Sequence, residues 1–252
     1  MKVIVLGFGK IGRTILDMLK STGRYHVSVG EVDDNALAEA AAKGITGHKV
    51  NVTDHGTLAA TLKGHDIVIN ALPHHLNLIV STAAAESRVN YFDLSEDVAS
   101  TRHIKMLASK ATTALMPQCG LAPGFIAIAA HDLYQRFDKV KDVMCRVGAL
   151  PIYPTNALKY NLTWSTDGLI NEYCMPCEAI HDGQLREVLP LEGLENFSLD
   201  GVEYECFNTS GGIGTLCDTL QGKVENLNYK TIRYPGHCAI ARLLINELGL
   251  GT

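Results

Sequence analysis

The sequence predicts an α/β protein: a doubly wound parallel sheet, followed by a second α+β domain that contains an open, mostly antiparallel sheet. Between Lys2 and Pro117, short apolar runs alternate with segments of helical periodicity, which is the pattern of parallel strands joined by crossover helices. After Pro117, strand-like segments follow one another across Asp-Gly turns, which favours antiparallel pairing. We therefore expect two domains, residues 1–118 and residues 119–252.

The elements of the first domain can be assigned in chain order. Its strands are predicted in the segments KVIVLG, YHVSVGEVD, ITGHKVNV, DIVINALP, RVNYFDLS and TTALMPQ. Its helices are predicted in IGRTILDMLK, NALAEAAAKG, DHGTLAATLKG, NLIVSTAAAES and SEDVASTRHIKMLASK. Gly44 ends the second helix, whereas Asp54 caps the third and Gly64 ends it.

The alternation of strands and helices stops at QCGLAPGF, where Gly120, Pro123 and Gly124 indicate a hinge or a domain boundary. A helix is predicted next, in FIAIAAHDLYQRF. Antiparallel strands are then expected in VKDVMCRVGAL, LKYNLTW, CEAIHDGQLREVLPL and FSLDGVEYECF. Turns are expected at Asp182-Gly183 and at Asp200-Gly201.

Composition excludes several classes of protein. The chain of 252 residues is 46% hydrophobic, which is enough to bury a substantial core and argues against disorder. Its net charge of −5, with no long basic run, argues against nucleic acid as a partner. It shows no secretory leader and no long apolar run, and its seven scattered cysteines do not resemble a disulfide framework. We expect a soluble cytoplasmic protein with reduced thiols.

A glycine motif joins the first strand to the first helix. Gly7, Gly9 and Gly12 have the G-x-G-x-x-G spacing in the strand-to-helix context of a Rossmann dinucleotide-binding domain. The first glycine permits the turn, the second lets the backbone approach a pyrophosphate, and the third lets the helix pack on the strand. The helix N-terminus offers free N–H groups to the phosphates. The predicted cofactor loop also contains Phe8, Lys10 and Ile11.

An acidic residue at the end of the second strand predicts the cofactor. Glu31 follows Gly12 at the distance where a carboxylate accepts hydrogen bonds from the adenosine ribose. A carboxylate there repels a 2′-phosphate, and no arginine follows directly, so NAD is favoured over NADP. Asp33 is the alternative if the strand runs further.

The nicotinamide half of the cofactor is expected at the carboxyl ends of the fourth and fifth strands. The residues predicted to contact it are Asn70, Ala71, Leu72, Pro73 and Leu94. An ordinary β-to-α turn is the alternative for each of these positions.

The order of several motifs resembles a known family. GFGKIG, DIVINALP, YFDLSED, MPQCGLAPGF, LTWSTDGLINEY and YKTIRYPGH occur in the order found in the saccharopine dehydrogenase-like superfamily. Ala122 in GLAPG resembles the lysine 6-dehydrogenase branch, since members that act on saccharopine typically have aspartate there. The resemblance implies oxidative deamination of the lysine side-chain amine or the reverse reaction. It also implies a substrate domain that builds the contact of a homodimer.

Amine oxidation requires a base and a hold on the substrate. Arg233 is predicted to bind a substrate carboxylate through paired hydrogen bonds, assisted by Thr231, although a surface arginine on an edge strand is the alternative. Trp164 either contacts the substrate methylene chain or fills the core. The resemblance places Cys119 near the substrate, and a small buried side chain at a domain junction is the alternative. Cys119, His74 and Asp93 are the predicted catalytic residues, and the base stays open among His74, His75, Asp93, Tyr173, His181 and His237.

Two further patterns carry less weight. Cys174 and Cys177 form a C-x-x-C pair without a second pair of ligands, so we expect no metal. SGGIGTL lacks the Lys-Ser or Lys-Thr of a phosphate-binding P-loop.

Three functions therefore stay open. The first is lysine 6-dehydrogenase-like deamination with NAD, and the second is a saccharopine or carboxynorspermidine reductase-type condensation. Related enzymes usually continue past the YPGH helix, whereas this sequence stops at LINELGLGT. That difference motivates the third, a catalytically silent NAD-binding sensor or scaffold.

Overall fold

A parallel six-stranded sheet forms the centre of the first of two units, Met1–Cys119, in a computed structural model that describes residues 1–251. The strands lie in the order β3-β2-β1-β4-β5-β6. Their bounds are β1 (Lys2–Leu6), β2 (His26–Glu31), β3 (Thr46–Lys49), β4 (Ile67–Asn70), β5 (Asn90–Asp93) and β6 (Leu115–Met116). Because the order reverses between β1 and β4, the sheet has a switch point at the carboxyl ends of these two strands.

Helices connect the strands as predicted: α1 (Lys10–Ser21), α2 (Asp34–Ala42), α3 (His55–Leu62), α4 (Asn77–Ser87) and α5 (Val98–Ala108). A short 3-10 turn, His74–Leu76, precedes α4. Three helices begin at an aspartate whose carboxylate accepts hydrogen bonds from backbone N–H groups of the first turn, namely Asp33, Asp54 and Asp97. The predicted cap at Asp54 is thereby confirmed.

Apolar side chains of the first sheet pack in two clusters. Ile4 and Leu6 of β1 lie in a cluster with Leu58 of α3 and Val80 of α4. Val5, the residue between them, lies in a second cluster with residues of α1 and α2. Since alternate residues of a strand point to opposite faces, the central strand is buried on both sides, as its continuous apolar run predicts.

The turn from β1 to α1 depends on two glycines. Gly7 has a φ of +96°, a conformation that L-residues rarely adopt, and its N–H donates to the Gly30 carbonyl at 2.9 Å. A Cβ on Gly12 would overlap the carbonyl oxygen of Gly7. Helix α1 can therefore approach the end of β1 only because position 12 has no side chain.

The second unit, which begins at Gly120, contains helices and a sheet of six strands among the described residues. The strands are β7 (Asp142–Val147), β8 (Cys177–His181), β9 (Gln184–Val188), β10 (Glu195–Leu199), β11 (Val202–Asn208) and β12 (Asn226–Arg233). The helices are α6 (Phe125–Tyr134), α7 (Thr166–Cys174), α8 (Leu216–Leu220) and α9 (His237–Arg242), with a π turn at Leu243–Glu247.

Strand β12 is the centre of this sheet. It pairs antiparallel with β11 and β8 along one edge and parallel with β7 along the other. The predicted hairpins are present, because β8 and β9 meet across Asp182-Gly183 and β10 and β11 across Asp200-Gly201. These observations confirm the predicted fold class, a Rossmann sheet followed by an α+β unit with a mostly antiparallel sheet.

Two predictions for the second unit were wrong. Strand β7 is parallel to β12, with Asp142 opposite Asn226. The two strands are far apart in the sequence, so the local pattern of either one carried no sign of its direction. The segment LKYNLTW forms no strand, because the Asn156 side chain hydrogen-bonds the backbone N–H and carbonyl of Tyr160, and Lys159 has a φ of +52°. Its alternating aromatic pattern instead reflects a local contact, in which Trp164 donates to the Tyr160 hydroxyl.

Substitution by alanine should affect stability at Gly12 and leave it unchanged at Gly9. Gly12→Ala forces α1 away from β1, so we expect the free energy of unfolding to fall by about 1–3 kcal/mol, the usual cost of overpacking. Gly9→Ala is the matched control, since a Cβ there meets no atom within 4 Å, and its stability should stay within about 0.5 kcal/mol of wild type. Urea unfolding measures both. Equal stability of the two variants would contradict the packing described here.

Candidate functional site

The glycine loop of the first unit is held by the carboxylate of Glu31, the last residue of β2. One oxygen, Oε2, accepts the N–H of Phe8 at 2.8 Å. The other, Oε1, accepts the N–H of Val32 at 2.7 Å and that of Asp33 at 3.3 Å. A negative charge therefore lies directly against the loop, at the position expected to meet a ribose. Asp33, the alternative acid, is occupied as the cap of α2.

The surface of the loop is open where a cofactor would approach. A Cβ on Gly9 would extend into empty space, and Gly9 directly precedes the first turn of α1. Lys10 and Ile11 are exposed at the start of this helix. The first N–H groups of a helix have no partner within it, so they can bind phosphate oxygens. This arrangement fits the pyrophosphate of a dinucleotide.

Sequence reasoning missed Arg13, a residue of α1 that hydrogen-bonds the glycine loop. Its Nε donates to the carbonyl of Phe8 at 2.8 Å, and its guanidinium lies 4.7 Å from the centre of the Phe8 ring. Nη1 pairs with Glu39 of α2 at 2.7 Å. Phe8 itself is buried, and both its N–H and its carbonyl are engaged by neighbouring side chains. Nothing in the sequence singles out this arginine.

At the end of β4, Asn70 belongs to a buried polar network. Its Nδ2 donates to Oδ1 of Asn77 at 2.8 Å and to the hydroxyl of Tyr91 at 3.3 Å, and its Oδ1 accepts the N–H of Leu72 at 3.3 Å. Ala71 and Leu72 are half-buried and Pro73 is exposed. Asn77 and Tyr91 were not among the predicted residues, since neither stands at a strand end.

The same network continues to Asp93 at the end of β5. Tyr91 donates its hydroxyl to Oδ2 at 2.8 Å, and Oδ1 accepts the N–H groups of Ser95 at 2.9 Å and Gln118 at 3.2 Å. Burial raises the pKa of Asp93 above its ordinary value, while these hydrogen bonds act in the opposite direction. Asp93 thus organises the strand ends, and the backbone N–H of Cys119 also donates to its carbonyl at 2.7 Å. The adjacent Leu94 is half-buried.

The other two predicted catalytic residues have different surroundings. Burial and the charge of Asp93 raise the pKa of the Cys119 thiol to about 11, so the thiol is protonated at neutral pH. A protonated thiol suits a proton donor and not a base. His74 is half-buried in the 3-10 turn, with its ring 6.1 Å from that of the exposed His75. The catalytic assignments of Cys119, His74 and Asp93 stay predictions.

In the second unit, Arg233 at the end of β12 is oriented by a chain of hydrogen bonds. Its Nε donates to the Tyr173 hydroxyl at 3.2 Å, and its guanidinium lies 4.4 Å from the centre of the Tyr160 ring. Tyr173 lies 2.9 Å from Nε2 of His237, whose Nδ1 lies 2.9 Å from the Leu158 carbonyl. Since only a protonated Nδ1 can bond a carbonyl, Nε2 of the neutral ring accepts from Tyr173.

Arg233 is buried on an internal strand, which excludes the alternative of a surface arginine at a sheet edge. Burial lowers the pKa of His237, so the ring is neutral and adds no second charge beside the guanidinium. Nη1 donates to the Ile232 carbonyl at 2.8 Å, whereas no residue in the described range 1–251 accepts a hydrogen bond from Nη2. The guanidinium thus keeps donor capacity for a ligand.

The remaining predicted residues have local roles. Thr231 is buried, and its hydroxyl donates to the Val147 carbonyl at 3.5 Å. Trp164 is half-buried, with its indole N–H donating to Tyr160 at 3.0 Å. His181 is exposed and pairs with Asp182.

Within residues 1–251, no group of three His, Cys, Asp or Glu side chains is arranged to hold a metal ion. None of the helices in that range is both long and apolar enough to cross a membrane.

Both parts of the chain match models of known protein families. Residues 3–119 match the model of the saccharopine dehydrogenase NADP binding domain, and residues 120–251 match that of the saccharopine dehydrogenase C-terminal domain. The mitochondrial alpha-aminoadipic semialdehyde synthase of Rattus norvegicus is 24% identical over 94% of this chain and 27% of its own length. The saccharopine dehydrogenase [NADP(+), L-glutamate-forming] of Saccharomyces cerevisiae is 24% identical over 97% of this chain and 57% of its own length.

A solved structure shows the same fold. The apo saccharopine dehydrogenase (L-Glu forming) of Saccharomyces cerevisiae aligns with a TM-score of 0.78 and 24% identity, over 100% of this chain and 59% of that one. The chain thus spans 27% to 59% of the length of these relatives. Both of its matched domains confirm the resemblance carried by the motifs, and the chain belongs to the saccharopine dehydrogenase family.

Proposed function

We propose that this chain binds a nicotinamide dinucleotide in residues 1–118 and uses it to oxidise or form a C–N bond of an amino acid bound through residues 119–252. The observation that carries the proposal is the open glycine loop with the Glu31 carboxylate against it. A backbone turn cleared of side chains, followed by a helix N-terminus, favours a pyrophosphate, and the acid favours ribose hydroxyls. Membership of the saccharopine dehydrogenase family supports chemistry at a carbon that bears nitrogen.

The proposed cofactor is NAD. The matched family model and the yeast relative are both named for NADP. The proposal of NAD for this chain rests on its own residues. In this chain, the carboxylate of Glu31 stands against the loop with backbone donors on both oxygens. A 2′-phosphate placed beside it would meet a like charge, whereas two ribose hydroxyls can donate to it.

Glu31→Gln tests the cofactor choice. The wild-type chain should bind NAD at least about tenfold more tightly than NADP, which is a modest charge repulsion of about 1.4 kcal/mol. The variant keeps the shape of the side chain, loses its charge and retains one acceptor oxygen, which can still accept the N–H of Phe8. Its preference should therefore fall toward parity. Calorimetric titration with both dinucleotides measures the ratio.

Asp34→Asn serves as the control for Glu31→Gln. Asp34 is an exposed acid three residues further along, paired with Lys49 at 2.7 Å, so its loss changes the local charge without touching the loop. We expect it to leave the NAD to NADP ratio unchanged. Wild-type preference for NADP would overturn the role of Glu31.

Arg233 is the proposed carboxylate-binding residue of the substrate. Its planar guanidinium is stacked on Tyr160 and held through Nε by Tyr173, so Nη2 is presented in a fixed orientation. A buried guanidinium with a free donor edge favours a carboxylate, which forms paired charge-assisted hydrogen bonds with it. An amino-acid substrate supplies that group.

Two substrates of this class are supported by different observations. Ala122 in GLAPG favours a lysine 6-dehydrogenase-type reaction, in which the side-chain amine of L-lysine is oxidised and ammonia is released. The similarity to the yeast saccharopine dehydrogenase favours a saccharopine-type secondary amine. Both reactions pass a hydride between a C–N carbon and the nicotinamide, so the same residues serve either.

The test of this proposed function is an assay of the full chain with NAD. Reduced nicotinamide and ammonia should form with lysine if the first reaction is correct. Consumption of reduced nicotinamide only when an aldehyde and an amino acid are both present would support the condensation instead. If NAD binds and no amine in a broad screen changes the nicotinamide absorbance, the silent sensor or scaffold is supported and the enzymatic proposal is wrong.

Arg233→Lys probes the carboxylate-binding residue in the same assay. Lysine keeps the charge but loses the planar fork and the stacking on Tyr160, so KM for the amino acid should rise about 10- to 100-fold. NAD affinity should stay unchanged. Arg136→Lys, at an exposed pair with Asp132, is the control and should alter neither value. An unchanged KM in Arg233→Lys would remove Arg233 from the substrate site.

A further inference from the structure

We propose that Glu96, in the loop between β5 and α5, is the residue that accepts the proton of the substrate amine. The inference deepens the proposed function and rests on it. The predicted base candidates did not include this residue. Its chemistry follows from three features: its place in the fold, its burial, and the absence in residues 1–251 of a side chain that hydrogen-bonds its carboxylate.

The place of Glu96 follows from the topology of the first sheet. In a sheet of order β3-β2-β1-β4-β5-β6, one mononucleotide half lies over β1 to β3 and the other over β4 to β6. Glu31 at the end of β2 marks the adenosine half. The loop after β5, which leads from Asp93 to Val98, therefore belongs to the nicotinamide half, where the reacting carbon must lie.

The other polar residues of this loop hold its shape. The N–H of Ser95 donates to Asp93 at 2.9 Å, and the N–H of Asp97 donates to the Ser95 hydroxyl at 3.0 Å. Asp97 in turn accepts the N–H of Ser100 at 2.7 Å and caps α5. Each of these groups has a structural task, so the loop is ordered before any ligand binds.

Glu96 has no such task. The residue is 8% exposed, and of the groups in residues 1–251 only its own backbone N–H contributes a hydrogen bond to its carboxylate. A buried carboxylate with a single backbone donor is poorly compensated for the water it has lost, and this costs the fold free energy. A rigid loop that keeps such a group beside the nicotinamide half is typical of a site whose missing partner is the substrate.

The electrostatic surroundings suit a proton acceptor that works near neutral pH. Burial raises the pKa of Glu96 to about 7, and the negative charges of Asp97 and Asp93, the charged groups that face it, act in the same direction. A base is most effective when its pKa lies near the working pH. Cys119, by contrast, keeps its proton, and Asp93 has both carboxylate oxygens engaged.

The proton step balances as follows. An ammonium nitrogen of the substrate gives one proton to the Glu96 carboxylate, which leaves the lone pair of the neutral amine free. That lone pair forms the C=N bond as the carbon loses its hydride to the oxidised nicotinamide. The products are an iminium ion, a reduced dinucleotide and a neutral Glu96 carboxyl, with the total charge unchanged. In the reverse direction the carboxyl returns the proton to the amine.

Glu96→Gln in the full chain is the decisive variant, because glutamine keeps the shape and cannot take the proton. We expect kcat to fall at least about 100-fold, the usual contribution of a positioned base, with NAD affinity within twofold of wild type. The pH profile of kcat/KM should lose the limb that falls below pH 7 in wild type. Asp97→Asn is the matched control, since amide oxygen still caps α5. Its kcat/KM should still fall at low pH, but at a lower pH than in wild type, because loss of the Asp97 charge lowers the pKa of Glu96.

Stability gives a readout that does not depend on activity. An acid whose pKa is raised by folding holds its proton in the folded state while the unfolded chain has lost it, so wild-type stability falls as pH rises from about 4.5 to about 7. Glu96→Gln removes this dependence and should be more stable than wild type at pH 8 but not at pH 4. Difference infrared spectroscopy of the protein without cofactor should show one carboxyl band that titrates near pH 7 and is lost in the variant.

The outcomes separate the inference from the proposed function. Wild-type activity together with an unimpaired Glu96→Gln variant overturns the role of Glu96 and leaves the proposed function intact. Absence of a carboxyl that titrates near pH 7 also overturns it, whatever the activity. A wild-type chain that oxidises no amine overturns the proposed function and, with it, any proton step.

Discussion

The approach of helix α1 to the end of strand β1 is the constraint on which the first unit depends. Gly12 lies against the carbonyl of Gly7, and this contact sets the entry of the helix and the open position of Gly9 between them. The Glu31 carboxylate then ties the loop to β2 through the Phe8 N–H, and Arg13 ties it to α1. A dinucleotide-binding surface thus arises from backbone packing, and side chains serve mainly to keep that backbone in place.

Both units bury polar side chains and link them in chains of hydrogen bonds. In the first, Asn77, Asn70, Tyr91 and Asp93 link the carboxyl ends of β4 and β5. In the second, a similar chain runs from Arg233 through Tyr173 to His237. Such networks rigidify a site when every member has a partner. The Asn77 Nδ2 atom stays without a partner in the first network, and the Nη2 edge of Arg233 extends beyond the second.

The fold accommodates the ionisable side chains of Glu96 and Arg233 in different ways. Burial disfavours the charged form of an acid and raises the pKa of Glu96 to about 7, so both protonation states are populated near neutral pH. This suits proton transfer and lowers the stability of the fold. Arg233 cannot shed its proton, and its charge is accommodated by the Tyr160 ring and by a neutral His237. In each case the fold retains an ionisable group at a cost in stability, which the substrate of the proposed function would offset.

Local chemistry determined much of the fold. The apolar run of β1, the glycine spacing, the cap at Asp54 and the two Asp-Gly hairpins depend on near neighbours in the chain, and the sequence by itself predicted them. Pairings across long separations needed the tertiary structure, as with β7 beside β12, because direction in a sheet is set by the whole topology. The surroundings of Glu96 and Arg233 were decided in the same way. A residue letter shows a charge, but only packing shows whether that charge is buried and which partner it lacks.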